Sequence, residues 1–323
     1  MTLVAVVEGD GIGKEVIPVA QDLIASVRPD IEFLPVEAGY GRWERKGAAI
    51  TREELAALES ADAILFGAVT TPPVACYESV VVRIRKELDL YANVRPVFGP
   101  RSDIVIVREN TEGLYAGMET IEADRATSLR VITRSGSERI ARYACALAKK
   151  RRLLTIGHKA NILKSDVFFR DICIGEAKNA GIPYNDRYID ALCLDLLMHP
   201  AAYDVVVTEN MFGDILSDVA AYLVGGLGML PSANIGDRHA LFEPVHGSAP
   251  DIAGKDIANP VAAIRSAALL LRHIGDEPSA REIEGATERT LDRGIRTRDL
   301  GGAAGTKEFG QAVRNEMRTG KKA

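Results

Sequence analysis

Two aspartates, Asp214 and Asp218, have a spacing that suggests chemistry. The apolar run from Tyr203 to Val207 predicts a short buried strand, and after a polar turn a helix is expected to begin near Gly213. Because the aspartates are four residues apart, this helix would place both carboxylates on one face, one turn apart. A shared proton, a nearby cationic side chain or a hard divalent cation would relieve their repulsion. A solvated acidic helix face is the alternative.

Three arginines, Arg85, Arg95 and Arg108, lie near the ends of predicted elements. Each alone could form a surface ion pair, whereas three together fit bidentate binding of carboxylates better. Tyr115 and Lys159 are candidate proton carriers, provided that burial beside cations lowers their pKa values. A small-molecule substrate with two carboxylates, bound together with a divalent cation, would use all of these groups.

The elements that must position these residues alternate between strands and helices. A strand over Leu3 to Val7 is followed by a glycine-rich turn and a helix from about Lys14 to Val27, and this alternation continues along the chain. It predicts an α/β fold with mostly parallel strands. The turn, 9–13, has neither the spacing of a dinucleotide fingerprint nor that of a Walker loop, so a plain tight turn is favoured.

Composition narrows the function classes. The net charge is −5 and no basic block occurs, which argues against nucleic-acid binding. Four cysteines, Cys76, Cys145, Cys173 and Cys193, are far apart without a CxxC pair, as is typical of free thiols in a reducing cytosol. No signal peptide or bilayer-spanning apolar run is found, so we expect a soluble, cytoplasmic protein without a membrane partner.

Several long motifs occur in order along the whole chain. They are Glu8–Gly13 (EGDGIG), Tyr91–Pro96 (YANVRP), His158–Asn161 (HKAN), Gly213–Asp218 (GDILSD), Glu243–Lys255 (EPVHGSAPDIAGK) and Asp299–Gly302 (DLGG). Together they resemble the β-decarboxylating dehydrogenases, the family of 3-isopropylmalate, isocitrate, homoisocitrate and tartrate dehydrogenases. The similarity is greatest to archaeal-type 3-isopropylmalate and homoisocitrate dehydrogenases.

The resemblance implies an isocitrate/isopropylmalate dehydrogenase-type α/β fold, with two domains and a mostly parallel sheet, which is not a Rossmann fold. The first domain would be discontinuous, 1–98 and 225–323, and would bind the cofactor. The central domain, 99–224, would carry the metal carboxylates and the dimer interface. The expected assembly is a homodimer, or a tetramer, with shared active sites.

By position, the resemblance assigns Asp190, Asp214 and Asp218 as ligands of Mg2+ or Mn2+. Lys159, with Asp190 as a second catalytic residue, would take the proton of the substrate hydroxyl as hydride leaves for the nicotinamide. Both of these residues would enter the site from the other subunit. Tyr115 would protonate C3 after decarboxylation.

The cofactor that the resemblance implies is NAD. Asp251 lies where NAD-dependent members have an acid, which would accept from the ribose hydroxyls and repel a 2′-phosphate. In the NADP-dependent members of the family that this chain resembles, Lys-Tyr occupies the two positions that are Asp251 and Ile252 here. His246 and Asn259 would frame the adenosine. The other assigned cofactor residues are Glu243, Gly247, Ser248 and Ala249.

Substrate binding is assigned to the three arginines and Asn161. The variable group of the substrate should contact the helix before Arg85, where two valines would suit an alkyl group. Arg83 could instead pair a distal carboxylate, or remain exposed and pair with Glu87. The residues expected on this face are Glu78, Val81 and Val82, and Ser79 is a further candidate for substrate binding.

We therefore expect oxidative decarboxylation of 3-isopropylmalate to 2-oxoisocaproate and CO2, a step of leucine biosynthesis. A homoisocitrate or isocitrate dehydrogenase is the alternative, since Ser79 matches half of the Ser-x-Asn pattern of isocitrate enzymes. A non-catalytic regulatory subunit of a hetero-oligomeric isocitrate dehydrogenase is disfavoured. Such subunits lose a metal aspartate, the lysine or the tyrosine, and all of these residues are present in this chain.

Overall fold

The structure, a computed structural model, describes residues 2–74 and 77–320. Cys76 lies outside these residues, and the other three cysteines are free, as predicted. The chain forms two compact units. Unit 1 comprises Met1–Leu88, Gly225–Ala233 and Asp237–Ala323, and unit 2 comprises Asp89–Val224 and Asn234–Gly236. The domain boundaries expected from the sequence stay a prediction.

Strands and helices alternate along much of the described chain. The strands are β1 (Leu3–Gly9), β2 (Glu32–Pro35), β3 (Ala63–Ala68), β4 (Ala92–Gly99), β5 (Ser102–Glu109), β6 (Glu119–Ile121), β7 (Ala126–Ser128), β8 (Leu154–His158), β9 (Tyr184–Tyr188), β10 (Val205–Thr208), β11 (Pro231–Ile235) and β12 (Ala240–Pro244). The helices are α1 (Gly13–Val27), α2 (Tyr40–Lys46), α3 (Arg52–Ser60), α4 (Val80–Glu87), α5 (Arg134–Ala148), α6 (Lys164–Asn179), α7 (Ile189–Met198), α8 (Asn210–Ala221), α9 (Val261–His273), α10 (Glu277–Asp292) and α11 (Thr306–Gly320).

In unit 1, β1 pairs in parallel with β2 on one side and with β3 on the other, and β12 pairs in parallel with β3. Every residue of β3 is buried, as expected for a parallel strand covered on both faces. Helices α1 and α9 pack on these strands. Helix α9 is rich in alanine, and its buried residues form part of the core.

In unit 2 the strand order is β4-β5-β10-β8-β9, with β4 antiparallel to β5 and the other pairs parallel. Ile140 of α5 and Phe169 of α6 belong to the same buried core as Val207 of β10. Because parallel strands end at one edge of a sheet, the residues that follow β5, β10 and β8 lie close together. This edge positions the site.

The α/β fold with mostly parallel strands is confirmed, although the start of α8 differs from the predicted one. Helix α8 begins at Asn210 rather than near Gly213, because the Glu209 side chain accepts the N–H groups of Met211 and Phe212 and caps the helix earlier. A two-stranded sheet of β6 and β7 is exposed along its length. Across the described ranges, no helix is long and apolar enough to span a membrane.

Candidate active site

Arg108 and Asp214 form the centre of a polar cluster in unit 2. Arg108 lies near the end of β5 with a side chain 1% exposed, and its Nη1 donates to Oδ1 of Asp214 on α8. Its Nε and Nη2 donate to Oδ1 of Asn210 at 3.0 and 2.7 Å. A Cβ at Gly213 would lie 2.6 Å from Cβ and Cγ of Arg108. Glycine at this position therefore lets α8 approach β5 closely enough for the ion pair.

Arg95 brings a second guanidinium to both predicted metal aspartates. Its Nη1 lies 3.3 Å from Oδ1 of Asp214 and 3.9 Å from Oδ1 of Asp218. The guanidinium is held by hydrogen bonds from Nε to Asn93 at 2.8 Å and from Nη1 to Ser217 at 2.5 Å. Burial raises the pKa of Asp218, an effect that Arg95 opposes and Asp214 reinforces. The carboxylates thus share one helix face, as predicted, and a cation relieves their repulsion.

Tyr115 completes this cluster, but with a pKa shift opposite to the expected one. Its hydroxyl donates to Oδ2 of Asp214 at 2.5 Å, and its ring centroid lies 4.9 Å from the Arg108 guanidinium carbon. Burial, together with the hydrogen bond and charge of Asp214, raises the tyrosine pKa more than Arg108 lowers it. The condition of a lowered pKa is not met for Tyr115, because the residue is buried and its hydroxyl donates to the carboxylate of Asp214. This phenol stays protonated near neutral pH and can supply a proton.

Lys159 pairs with Asp190 within the same chain. The two residues follow β8 and β9, which are parallel neighbours, and Nζ of Lys159 lies 2.6 Å from Oδ1 of Asp190. This hydrogen bond lowers the pKa of Asp190. Among the residues that the structure describes, no three His, Cys, Asp or Glu side chains form a metal-binding group, so Asp190 does not join the two aspartates of α8 within one chain. Asn161, in the turn after Lys159, is exposed.

A buried charge network that the sequence analysis missed supports both the lysine turn and α8. Asp166, which is fully buried, accepts the backbone N–H of Lys159 at 2.5 Å, and its Oδ1 lies 2.6 Å from Nη2 of Arg130. The same Nη2 is 3.5 Å from Oε1 of Glu209, the residue that caps α8. One arginine therefore balances the two carboxylates that hold these segments. Because α8 was expected to begin near Gly213, four residues after Glu209, no sequence signal pointed to this capping role.

Arg85 has a different environment from the other two arginines. It belongs to unit 1, is 8% exposed, and donates from Nη2 to Oε1 of Glu243 at 2.9 Å. Its buried Nε has no hydrogen-bond partner within the described ranges. Arg85 was expected to contact the substrate and Glu243 the cofactor, whereas the structure pairs them with each other.

The segment before Arg85 only partly matches the predicted helix face. Ser79 occupies the N-cap position of α4, and Val81 and Val82 are half-buried in its first turn. Glu78 precedes the helix and is exposed, so its placement on the helical face was wrong. Arg83 donates from Nη1 to the backbone carbonyl of Ile50 at 3.4 Å, which differs from the predicted pairing with Glu87.

Six of the eight predicted cofactor residues lie in a loop of unit 1, residues 246–256, which we call the cofactor loop, whereas Glu243 belongs to β12 and Asn259 follows the loop. The ring of His246 donates from Nδ1 to the carbonyl of Gly247 at 3.0 Å, and burial lowers its pKa. Its Nε2 is then a buried acceptor, with no partner among the described residues. Asp251 and Gly247 are exposed, Ile252 is half-buried, Ser248 is buried, and Ala249 has a φ of 38°.

These groups fit the nicotinamide cofactor and the metal ion that the resemblance implied. A nucleotide could donate an amino group to Nε2 of His246 and its ribose hydroxyls to Asp251, since both are free to accept. The side-chain amide of Asn259, which was expected to contact the adenosine, already has a partner within the protein, because its Nδ2 donates to Oδ2 of Asp299 at 2.9 Å. The half-exposed carboxylates of Asp214 and Asp218 are the hard oxygen ligands that Mg2+ and Mn2+ prefer.

Known proteins resemble this chain over its whole length. A family model described as isocitrate/isopropylmalate dehydrogenase matches residues 3–313. A 3-isopropylmalate dehydrogenase of Archaeoglobus fulgidus is 49% identical over 97% of this chain and 98% of that protein. A homoisocitrate dehydrogenase of Methanocaldococcus jannaschii is 45% identical over 98% of each. An isocitrate dehydrogenase structure from Methylococcus capsulatus superposes with a TM-score of 0.95 at 41% identity, covering 98% of this chain and 100% of that one.

The fold and the site define a β-decarboxylating dehydrogenase. The chain belongs to the isocitrate/isopropylmalate dehydrogenase family, and the predicted family and reaction class are confirmed. Dehydrogenases of this family use NAD or NADP together with a divalent metal ion.

Proposed function

We propose that this protein catalyses the NAD- and metal-dependent oxidative decarboxylation of 3-isopropylmalate to 2-oxoisocaproate. The observation that carries the proposal is the cluster of unit 2, in which two buried arginines and a protonated tyrosine surround Asp214. Cations that bind carboxylates, a proton donor and a pair of hard anionic ligands are the groups that decarboxylation of a malate requires.

Each residue of the cluster has a role that its contacts support. Arg95 and Arg108 are preoriented by neighbouring side chains and bind the substrate carboxylates. Tyr115, with its raised pKa, donates the proton that C3 receives. Asp214 and Asp218, with Asp190 of the partner subunit, hold Mg2+ or Mn2+, which when bound supplies Lewis acidity toward negative charge on a substrate oxygen. Lys159 takes the hydroxyl proton in the neighbouring active site. Arg85 and Asn161 are assigned to the substrate from the family resemblance alone.

The placement of Asp190 supports a homodimer, or a tetramer built from it. Among the described residues Asp190 pairs with Lys159 rather than with the aspartates of α8, and in the proposed assembly a second subunit supplies the third ligand. Unit 2 also exposes large apolar side chains that a partner would cover, since Ile121, Leu194 and Tyr222 are 81%, 62% and 73% exposed.

NAD rather than NADP is favoured by the charge of the cofactor loop. The Asp251 carboxylate is exposed, so it can accept from both ribose hydroxyls but would repel a 2′-phosphate. His246 offers its unpaired Nε2 to the adenine. The other residues that we assign to the cofactor, all in unit 1, are Glu243, Gly247, Ser248, Ala249, Ile252 and Asn259.

Two half-buried valines favour an alkyl substituent on the substrate. A carboxylated arm against Val81 and Val82 would lose hydration without gaining a partner. The relative from A. fulgidus is named for 3-isopropylmalate. Homoisocitrate is the second candidate, because the Arg83 guanidinium makes a long hydrogen bond of 3.4 Å that a distal carboxylate could replace, and the M. jannaschii relative is named for that substrate.

The deciding experiment compares kcat/KM for 3-isopropylmalate, homoisocitrate, isocitrate and D-malate, with Mg2+ and either NAD or NADP. We expect NAD and 3-isopropylmalate to dominate. A preference for homoisocitrate or isocitrate would transfer the assignment to the second candidate, with Arg83 and Ser79 as the first residues to substitute. Absence of turnover on all four substrates, with measurable nucleotide binding, would instead indicate a regulatory subunit.

A further inference from the structure

Glu15 makes a bidentate contact with the cofactor loop. It lies in the first turn of α1, two residues after the glycine-rich turn 9–13. Its Oε1 accepts the backbone N–H of Gly254 at 2.7 Å, and its Oε2 accepts the backbone N–H of Asp256 at 2.8 Å. Gly254 and Asp256 have φ values of 77° and 54°, so this end of the loop is held in the left-handed region.

The same turn contacts the other end of the loop. The N–H of Ile12 donates to the carbonyl of Ser248 at 2.8 Å, and Oγ1 of Thr70 lies 2.7 Å from Oγ of Ser248. A Cβ at Gly11 would lie 1.9 Å from that carbonyl oxygen, so only glycine permits this approach. The turn therefore supports the loop near its start, and Glu15 supports it near its end.

Asp251 lies between these two supports. Lys255 donates from Nζ to the backbone carbonyl of Asp251 at 2.7 Å, which orients the segment while the carboxylate remains exposed. We propose that Glu15 is a positioning residue that holds the cofactor loop in its NAD-binding conformation before NAD arrives. This inference rests on the proposed cofactor and gives the glycine-rich turn a role as a support for the loop.

The physical basis is preorganisation. A carboxylate that accepts two backbone N–H groups forms charge-assisted hydrogen bonds, which are stronger than neutral ones. A loop that is already ordered loses less conformational freedom when NAD binds, and this difference appears as affinity. Glu15→Gln keeps the shape of the side chain but turns an N–H2 group toward one of the two N–H donors, so that one hydrogen bond is lost and a donor–donor contact replaces it.

The expected effects of Glu15→Gln separate binding from chemistry. The Kd for NAD should rise about tenfold, the change that corresponds to loss of one hydrogen bond to a charged group. The kcat at saturating NAD should stay within about twofold, and the preference for NAD over NADP should shrink, because Asp251 is less well placed. In the cofactor-free protein, hydrogen exchange at the amides of Gly254 and Asp256 should accelerate.

The experiment measures hydrogen exchange without cofactor and NAD binding by calorimetry for the wild type, Glu15→Gln and Glu53→Gln. Glu53 is an exposed acid in the first turn of α3, so its substitution controls for the loss of a first-turn carboxylate. Wild-type exchange and Kd in Glu15→Gln would overturn the inference, as would faster exchange with an unchanged Kd. A wild-type protein that binds no NAD would overturn the proposed cofactor as well, which distinguishes the two failures.

Discussion

Asp214→Asn is the substitution that tests the active-site geometry most directly. The carboxylate of Asp214 receives the Arg108 guanidinium on Oδ1 and the Tyr115 hydroxyl on Oδ2, and Nη1 of Arg95 lies 3.3 Å from Oδ1. Asparagine keeps the shape and one oxygen but removes the negative charge. The positive charges of Arg95 and Arg108 then repel a divalent cation, and the negative charge of Asp214 no longer offsets this repulsion. Tyr115 also loses the anionic acceptor of its hydroxyl group.

The magnitude follows from Coulomb's law. A single charge about 2 Å from a divalent cation contributes about 4 kcal/mol at the dielectric constant of water, which is the appropriate limit because the Asp214 side chain is 35% exposed. The retained amide oxygen recovers part of this energy. We expect the Mg2+ concentration at half-maximal rate to rise by about 10²-fold to 10³-fold.

The same substitution predicts a change in pH dependence. Burial and Asp214 raise the pKa of Tyr115, so the folded protein holds this proton to higher pH than the unfolded chain, and this group lowers stability as pH rises above about 10. Without the carboxylate only the effect of burial remains to raise the pKa. The tyrosine pKa, followed by ultraviolet titration with Tyr115→Phe as the reference, should therefore fall.

The assay is a Mg2+ titration of the initial rate with saturating NAD and 3-isopropylmalate. Asp195→Asn is the matched control, because Asp195 also pairs with a tyrosine in unit 2, namely Tyr203, but lies outside the cluster. It should leave the Mg2+ requirement unchanged. Half-maximal activation of Asp214→Asn at the wild-type Mg2+ concentration, or wild-type activity in EDTA, would refute the metal assignment.

Two further substitutions test proton transfer and packing. Tyr115→Phe should lower kcat by about 10²-fold to 10⁴-fold with little change in the KM for substrate, since it removes a proton donor and none of the arginines that bind the substrate carboxylates. A kcat within about threefold of the wild type would exclude this role. Gly213→Ala should cost about 1–3 kcal/mol in the free energy of unfolding, because its Cβ would overlap Arg108. Gly175→Ala in α6 should instead gain up to about 1 kcal/mol, because beyond its own turn of the helix no described atom lies within 4 Å of the added Cβ. Equal shifts in the denaturation midpoint of both variants would contradict this reasoning.

The sequence by itself determined the features that depend on neighbours along the chain. An apolar run followed by a polar turn predicted β10 and α8, and the four-residue spacing placed Asp214 and Asp218 on one face. Helical geometry makes that relation local, so no tertiary information was needed. The order of the long motifs predicted the family, which the comparisons confirmed.

Only the tertiary structure decided which partners these residues have. Arg95 relieves the repulsion of the two aspartates because β4 and α8 meet in unit 2, although they are far apart in sequence. The direction of the Tyr115 pKa shift depended on burial and on whether the hydroxyl met a carboxylate or a cation, and burial together with the contact to Asp214 raised the pKa. The hydrogen bonds between Glu15 and the cofactor loop could not be predicted from the sequence either. Their donors are backbone N–H groups, which do not depend on which side chain a residue has. Charge interactions follow distances in space, and those distances are established only when the chain is packed.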